Sequence, residues 1–269
     1  MPSTAAEHSR GTEHSRGTEH SRAATTSLPV FFVETLDATA DEVVLDGSEG
    51  RHAATVRRLA LGEGLRISDG VGTAIEATVV DVAGERLRVK VDRRLQVLVP
   101  APEFVVVQAL PKGDRGELAV ALMAEIGVDR IVPWEASRCV TQWRDARGAK
   151  SLERWRGAAR EASKQSRRLR RAQVDELATT RAVCELLGAA EAAIILHERA
   201  AGGFSSLRVP EVGVIVVVVG PEGGLTDDEL SAFTAAGGCP IRLGDGILRT
   251  STAGAATVAA LAAAVGRWG

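Results

Sequence analysis

The sequence lacks the residues that mark several common protein classes. It contains no tyrosine, and its aromatic residues are five phenylalanines and four tryptophans. The three cysteines, Cys139, Cys184 and Cys239, lie far apart and form no Cys-x-x-Cys pair, so neither a zinc site nor a disulfide framework is indicated. No apolar run reaches the roughly 20 residues of a membrane helix, and the N-terminus lacks the apolar core of a secretory signal. We therefore expect a cytoplasmic protein with reduced thiols, no metal and no membrane association.

The overall charge does not indicate a nucleic-acid partner, because the formal net charge is only −2. The charge is unevenly placed, however, since residues 138–171 hold twelve basic and three acidic residues. In the helix predicted there, Leu152, Trp155, Ala159 and Ala162 share the inward face, which leaves the cations and no obvious acidic partners outside. Such a surface releases counterions from phosphate and favours nucleic acid; a solvated helix face is the alternative.

The first 27 residues contain a hexapeptide repeat that begins Glu7-His-Ser-Arg-Gly-Thr12. The repeat has no apolar residue to bury, so we predict a disordered tail over 1–27. His8, His14 and His20 recur every six residues, a spacing that suits neither one helix face nor one compact loop. A solvated tail is therefore favoured over a metal site.

Residues 28–99 predict a small β-barrel. Stretches such as 74–82 and 87–91 alternate between apolar and polar residues, and several short strands of this kind suit a barrel. A short helix is predicted over 49–59. The two prolines in 99–102 then indicate a linker, because proline disfavours both helix interiors and central strands.

Residues 103–269 change to an alternation of apolar strands and helices, which predicts an α/β domain with a mostly parallel sheet. The run 214–219 is continuously apolar, as expected of a strand covered on both faces. A helix is predicted over 115–126, with Leu118, Leu122 and Ile126 on its inner face.

A glycine-rich segment, Gly220-Pro-Glu-Gly-Gly224, directly follows the most apolar strand. Thr226 and Glu229 have capping-box spacing, so a helix should begin there. Ligands in open α/β sheets bind at the carboxyl ends of strands, and glycine lets a ligand approach the backbone closely. A tight turn without a ligand is the alternative. A P-loop is excluded, because no Gly-Lys-Ser/Thr follows.

A second glycine-bearing segment, Leu243-Gly-Asp-Gly-Ile-Leu-Arg-Thr-Ser-Thr-Ala253, follows a short predicted strand. An alanine-rich helix is predicted from about Ala253, with Thr250, Ser251 and Thr252 as candidate N-caps. Arg249 stands between an apolar pair and these caps, an unusual place for a solvated charge. We predict a functional role for Arg249, with an ordinary surface arginine as the alternative.

On these residues the chain resembles the 16S ribosomal RNA uracil-N3-methyltransferase family of the knotted, or SPOUT, superfamily. The matching segments are Leu110-Pro-Lys-Gly-Asp-Arg115, Glu125-Ile-Gly-Val128, Ser137-Arg-Cys-Val140, Gln165-Ser-Arg167, Gly220 to Gly224, Leu248-Arg-Thr250 and Thr252-Ala253. Arg51-His52 and Val56-Arg-Arg-Leu59 resemble that family's PUA-like RNA-binding barrel. The resemblance implies a PUA-like barrel over 28–99, a trefoil-knotted methyltransferase domain over 103–269, and a homodimer.

The resemblance also implies methylation of uracil N3 in the 16S rRNA of the small ribosomal subunit, with S-adenosylmethionine as the cofactor. The implied cofactor residues lie in three loops: Leu196, His197, Gly220, Gly223, Gly224, Leu243, Gly244, Ile247, Leu248, Thr252 and Ala253. Arg249 would stabilise charge on a uracil oxygen, and Glu222 and Glu198 are candidate bases or uracil anchors. The predicted RNA contacts are Arg57, Arg58, Lys112, Arg115, Arg138, Arg167, Arg168, Arg170 and Arg171.

The chain departs from the family's usual pattern in three places. Many members have a basic residue and then a carboxylate where Gly246 and Ser251 stand here, and a glutamate is common at the position of Lys164. A carboxylate at position 251 therefore cannot be the base in this protein.

Two other functions stay open: a non-catalytic RNA-binding assembly factor, which leaves the glycine loop unexplained, and a methyltransferase of the same superfamily that modifies another RNA nucleotide, such as a ribose 2′-hydroxyl. Because aromatic residues are few, phosphate contact and shape should dominate RNA recognition.

Overall fold

The computed structural model describes residues 28–37 and 39–268. The predicted disordered tail with its repeat lies outside these residues. The described chain forms a five-stranded sheet followed by a six-stranded sheet. A search of its helices finds none with both the length and the apolar character needed to cross a membrane.

The first sheet has the strand order β1-β3-β4-β5-β2. Its strands are β1 (Val30–Phe32), β2 (Glu42–Leu45), β3 (Gly64–Ser68), β4 (Thr73–Ala83) and β5 (Arg86–Gln96). β1 pairs with β3 in parallel, and the other pairs are antiparallel. The alternating residues predicted in β4 and β5 do place one face in a core, where Ile75, Val79 and Val89 are fully buried.

The helix predicted over 49–59 is shorter and less regular than expected. It consists of α1 (Gly47–Arg51) and a π-helical turn, His52–Val56. The backbone N–H of Arg57 donates to the carbonyl of His52 at 2.9 Å, and Arg58 then takes a positive φ of 54°. A left-handed residue ends a right-handed helix, so the helix stops before Leu59.

The second sheet has the order β11-β9-β10-β6-β7-β8, and all of its pairs are parallel. Its strands are β6 (Glu103–Ala109), β7 (Arg130–Trp134), β8 (Gln173–Val174), β9 (Ala192–Leu196), β10 (Val214–Val219) and β11 (Cys239–Ile241). The helices that cover it are α2 (Arg115–Ile126), α3 (Asp145–Gln165), α4 (Thr180–Gly188), α5 (Asp227–Ala235) and α6 (Thr250–Ala264). The predicted parallel α/β domain is confirmed.

The position of β10 inside the sheet accounts for its apolar composition. Val217 and Val219 belong to a core on one face of the sheet, and Val216 and Val218 to a core on the other. A strand buried on both faces needs apolar side chains at every position, so the continuous valine run is confirmed as a buried parallel strand.

The inner face of α2 is only partly the predicted one, because Leu122 and Ile126 are partly buried against the core but Leu118 is not. Leu118 is exposed, whereas the buried side is formed by Gly116, Ala119, Val120, Met123 and Ala124. A Cβ at Gly116 would lie 2.5 Å from the Trp155 ring nitrogen. The helix is in close contact with its neighbours, and small residues allow that approach where leucine would not.

The basic segment 138–171 contacts acids and carbonyls from elsewhere in the fold, so its lack of acidic partners was wrongly inferred from the sequence. Lys164 Nζ lies 2.9 Å from Glu49 Oε1, and both side chains are buried. Ser68 Oγ donates to the carbonyl of Leu169 at 2.6 Å. Glu49 and Ser68 belong to the first part of the chain, so this segment joins the two sheets.

Candidate active site

Three loops at the carboxyl ends of neighbouring strands line one cavity of about 550 Å³. They follow β9, β10 and β11, which lie side by side in the sheet. The lining includes Leu196 to Glu198, the segment from Gly220 to Leu225, and the segment from Arg242 to Thr250. The structure therefore brings together the two glycine-bearing segments that the sequence singled out.

The loop after β10 is tightly turned. Gly224 has φ +70° and donates its N–H to the carbonyl of Pro221 at 2.9 Å. Thr226 and Glu229 form the predicted capping box, which is confirmed at the start of α5. A positive φ favours glycine over any residue with a side chain, so the turn itself requires Gly224.

Two groups from the segment after β7 hold this loop from outside the cavity. Arg138 Nη1 donates to the carbonyls of Gly223 at 3.1 Å and of Leu225 at 2.9 Å. The backbone N–H of Ser137 donates to Glu229 Oε1 at 2.7 Å. Arg138, predicted to contact RNA, is thus placed against the glycine loop.

The loop after β11 ends differently from the prediction. Helix α6 begins at Thr250 rather than near Ala253, and its N-cap is Arg249, whose side chain makes no capping hydrogen bond. Thr252 instead donates its hydroxyl to the Arg249 carbonyl at 3.1 Å. Thr250 and Ser251 are buried within the first turn, so neither hydroxyl residue occupies the cap.

The Arg249 side chain is exposed at the cavity wall. Within residues 28–37 and 39–268, no hydrogen bond or ion pair engages its guanidinium group. An arginine is always charged, and this one is directed to a cavity without an internal partner. The Arg249 guanidinium is therefore available to a ligand.

Two carboxylates also line the cavity. Glu222 Oε1 accepts the backbone N–H of Lys112 at 3.2 Å and lies 3.8 Å from Arg115 Nη1. Glu198 is more exposed, and its Oε1 lies 3.8 Å from Arg199 Nε. Both candidate bases are thus at the site, and Glu222 is the more firmly placed of the two.

The predicted cofactor residues are nearly all assembled. Ten of them line the cavity: Leu196, His197, Gly220, Gly223, Gly224, Leu243, Gly244, Ile247, Leu248 and Ala253. Thr252 does not line it, because its hydroxyl is turned back to the Arg249 carbonyl.

Five of the predicted RNA-binding arginines divide into two groups. Arg57 and Arg167 line a small cavity of about 70 Å³ between the two sheets, and Arg58 is exposed beside them. Arg170 Nη1 donates to the Val97 carbonyl at 3.2 Å, and an added Cβ at Gly70 would lie 3.0 Å from the Arg171 Cδ atom. The last two therefore have structural contacts between the sheets.

The contacts of Arg168 within the protein argue against its predicted role in RNA binding. Its guanidinium donates to the carbonyls of Ala124 at 3.0 Å and Val128 at 2.6 Å, and it pairs with Asp129. Burial lowers the pKa of this guanidinium, against the opposing charge of Asp129. A largely shielded arginine with these partners stabilises the fold and is not available to phosphate.

Sequence reasoning missed Gln108 and the link between Ser137 and Glu229. Gln108 is fully buried in β6 and donates weakly to the Thr250 carbonyl at 3.4 Å. A lone polar residue in an otherwise apolar strand was the available signal for Gln108. The hydrogen bond between Ser137 and Glu229 joins residues 92 positions apart, and no local sequence pattern predicts it.

Among the described residues, no three His, Cys, Asp or Glu side chains converge as metal ligands. The cavity is lined instead by glycine backbone, an arginine and carboxylates.

Comparison with known proteins agrees with this geometry. A family model described as an RNA methyltransferase domain matches residues 99–262, and one described as an RNA methyltransferase PUA domain matches residues 45–92. The ribosomal RNA small subunit methyltransferase E of Mycobacterium tuberculosis is 44% identical over 243 residues, which cover 89% of this chain and 93% of that protein. The protein of the same name from Bacillus subtilis is 26% identical over 239 residues, or 83% and 91% of the two chains.

Solved structures extend the likeness to three dimensions. A ribosomal RNA small subunit methyltransferase E from Neisseria gonorrhoeae, bound to S-adenosyl methionine, is similar with a TM-score of 0.77 at 28% identity. The match covers 88% of this chain and 98% of that one. The chain therefore belongs to the RNA methyltransferase family that includes ribosomal RNA small subunit methyltransferase E, and it carries that family's PUA domain before its catalytic domain.

Proposed function

We propose that this protein transfers a methyl group from S-adenosylmethionine to N3 of a uracil in the 16S rRNA of the small ribosomal subunit. One observation supports this most strongly. Two glycine-bearing loops line a single cavity together with Arg249, a charged residue without a partner among the described residues, in a family whose gonococcal member was solved with S-adenosyl methionine.

The residues at the cavity fit this cofactor. Its volume of about 550 Å³ is within the usual range for small-molecule sites. Gly220, Gly223 and Gly224 present backbone without side chains, so a ligand can come close, while Leu196 and Leu243 offer apolar contact. When bound, the cofactor supplies a methyl group on a positively charged sulfur, ready for attack by a nitrogen.

The uracil must lose its N3 proton before or during attack. Negative charge then develops on the ring oxygens next to N3. Arg249 is placed to stabilise that charge, because its guanidinium is permanently ionised and has no competing partner in the part of the chain that the structure describes. Holding the uracil there also makes the transfer effectively unimolecular.

Glu222 or Glu198 accepts the proton or anchors the uracil. Glu222 is fixed by the Lys112 backbone and Arg115, whereas Glu198 has one long ion pair. The variants Glu222→Gln and Glu198→Gln distinguish them. Substitution of the residue that acts as the base should lower kcat and change its pH dependence. Substitution of a residue that only anchors the uracil should mainly raise the KM for RNA.

The RNA approaches across the junction between the sheets, where Arg57, Arg58 and Arg167 gather. The uracil edge that carries N3 pairs in a duplex, so the target must be unpaired or extruded. Arg57 and Arg58 are exposed, and neither forms an ion pair with an acidic side chain among the described residues.

Neutralising Arg57 and Arg58 together, as Arg57→Gln and Arg58→Gln, should weaken RNA binding and flatten its salt dependence. Each lost phosphate contact lowers the slope of log K against log salt by roughly 0.7 to 0.9. Arg181→Gln is the control, because exposed Arg181 pairs with Glu185 on α4 and lines neither the loop cavity nor the small cavity with Arg57. Fluorescence titration at several salt concentrations measures the slope, and an unchanged slope excludes these arginines from the RNA surface.

The proposal includes a trefoil knot and a homodimer. After β11 at the edge of the sheet, α6 returns to the centre, where a Cβ at Gly254 would meet Met123, Val106 and Val219. Such a return supports threading of the chain.

The dimer would cover apolar side chains that are more than half exposed in the single chain, namely Leu118, Val140 and Ile247. Sedimentation of the full chain tests the dimer, and a monomer at all concentrations contradicts it.

Two measurements test the function itself. Calorimetry with S-adenosylmethionine separates a methyltransferase from a non-catalytic assembly factor, because only the former needs to bind the methyl donor. Mass spectrometry of 16S rRNA from a deletion strain identifies the nucleotide: loss of 3-methyluridine supports the proposal, and loss of a 2′-O-methyl group contradicts it. Methylation assays on naked 16S rRNA and on assembled subunits then identify the substrate. We place the enzyme in the cytoplasm, with the ribosomal RNA.

A further inference from the structure

The segment that follows β7 runs behind the glycine loop without lining the cavity. It turns at once, since the N–H of Cys139 donates to the Ala136 carbonyl at 2.9 Å. This turn brings Ser137 and Arg138 against residues 223 to 229. The contact is between two elements that the sheet separates, because β6 lies between β7 and β10.

We infer that Arg138 is a positioning residue for the cofactor loop rather than an RNA contact. The inference rests on the proposed use of this cavity for S-adenosylmethionine. One guanidinium nitrogen, Nη1, serves both the Gly223 carbonyl at 3.1 Å and the Leu225 carbonyl at 2.9 Å. These two carbonyls flank Gly224, the residue with positive φ.

The arrangement fixes the most adaptable part of the loop. Glycine at positions 223 and 224 leaves the backbone many accessible conformations, and only some of them leave the cavity open for a ligand. A charged donor holding the carbonyls on either side of Gly224 selects one of these conformations. Hydrogen bonds from a charged group are stronger than those between neutral groups.

The side chain of Arg138 also packs directly on this backbone. A Cβ at Gly223 would lie 3.1 Å from the Arg138 Cβ and 3.6 Å from its Cδ. The glycine at 223 thus permits the approach of Arg138, as well as that of a ligand on the other side.

A second support acts beside the first. The buried Glu229 carboxylate accepts the N–H of Ser137 at 2.7 Å and that of Thr226 at 2.8 Å. Burial would raise the pKa of Glu229, but these hydrogen bonds outweigh it and hold the pKa below its usual range. The backbone of the neighbouring Ser137 is therefore anchored by an ionised group, and this restrains the backbone from which the exposed Arg138 side chain extends.

The test compares cofactor and RNA binding in Arg138→Ala, Arg138→Lys and the control Arg181→Ala. We expect Arg138→Ala to raise the Kd for S-adenosylmethionine by about tenfold, less than the full loss of two charged hydrogen bonds, because the donor is exposed and acts on the ligand only through the loop. Arg138→Lys keeps the charge and the donors on one nitrogen, but at the end of a flexible chain without the planar fork, and should recover part of the loss. Steady-state kinetics should show a raised KM for the cofactor and an unchanged KM for RNA.

The outcomes separate this inference from the proposed function. Failure of the wild type to bind S-adenosylmethionine contradicts the function, whatever Arg138 does. Wild-type cofactor affinity in Arg138→Ala overturns the positioning role, and a weaker RNA affinity with a flatter salt slope would then identify a phosphate contact. If Arg138→Ala weakens the binding of S-adenosylmethionine and of RNA equally and also lowers the melting temperature, Arg138 has a merely structural role and the inference is overturned.

Discussion

The two glycine-bearing walls of the cavity are built in opposite ways. The wall after β10 is held by Arg138, Glu229 and its own turn, and Pro221 and Leu225 within it are buried. The wall after β11 is held sparsely: the Arg242 N–H donates to the Gly202 carbonyl at 2.9 Å, and the Arg242 side chain pairs with exposed Asp245. Ile247 in that wall is 84% exposed.

The difference assigns distinct tasks to the walls. A braced loop presents the same backbone before and after a ligand binds, so little ordering opposes binding. An exposed loop with few contacts has low local stability and can close over a ligand or dock on a partner. We therefore expect the first wall to determine cofactor affinity and the second, with Arg249, to determine turnover.

The largest expected effect is on turnover, in Arg249→Ala. Loss of the charge that stabilises the uracil oxygen should lower kcat by about 100-fold or more, with the cofactor Kd close to the wild-type value. Arg249→Lys should be intermediate, since an ammonium supplies charge without the planar fork. Single-turnover methylation and calorimetry measure the two quantities, and full activity in Arg249→Ala would end the role assigned to this residue.

A glycine pair, one from each wall, gives the next effect. Gly224 has φ +70°, so Gly224→Ala should introduce strain of about 1 to 2 kcal/mol. Gly246 has an ordinary φ and no heavy atom within 4 Å of an added Cβ, so Gly246→Ala is its matched control. We expect weaker cofactor binding and a lower melting temperature in the first variant only. Equal behaviour of the two variants would remove the contrast between the walls.

The smallest effect concerns pH. The folded-state pKa of Glu229 lies below its ordinary value, so its ionised form stabilises the fold above that ordinary value. The stabilisation is lost as the pH falls through the folded-state pKa. Between neutral pH and pH about 3, the wild type should therefore lose more thermal stability than Glu229→Gln. Parallel pH profiles would show that the Ser137 and Thr226 hydrogen bonds do not depend on this charge.

Much of the fold was predictable because local patterns carry it. The valine run of β10 and the capping box at Thr226 each follow from residues close in sequence. The α2 prediction failed for Leu118, because a helix between two others is oriented by where small residues allow close contact, which its own periodicity does not reveal. The start of α6 was misplaced since three consecutive hydroxyl residues gave no unique cap.

The site was less predictable than the fold, because its supports come from distant parts of the chain. Arg138 and Arg168 look alike in the sequence, as members of one basic segment. Arg138 holds carbonyls of the glycine loop, whereas Arg168 pairs with Asp129 and is largely shielded from solvent. The partners of both are fixed only by the tertiary arrangement, so a charge count could not separate them from Arg57, which stays exposed.

The central claim is that both glycine-bearing loops contact one molecule of S-adenosylmethionine. A crystal structure of the full chain grown with that cofactor tests it directly. We predict density between residues 220–225 and 243–249, with the first loop unchanged and the second drawn toward the ligand. Cofactor bound elsewhere, or both loops without contact to it, would contradict the account.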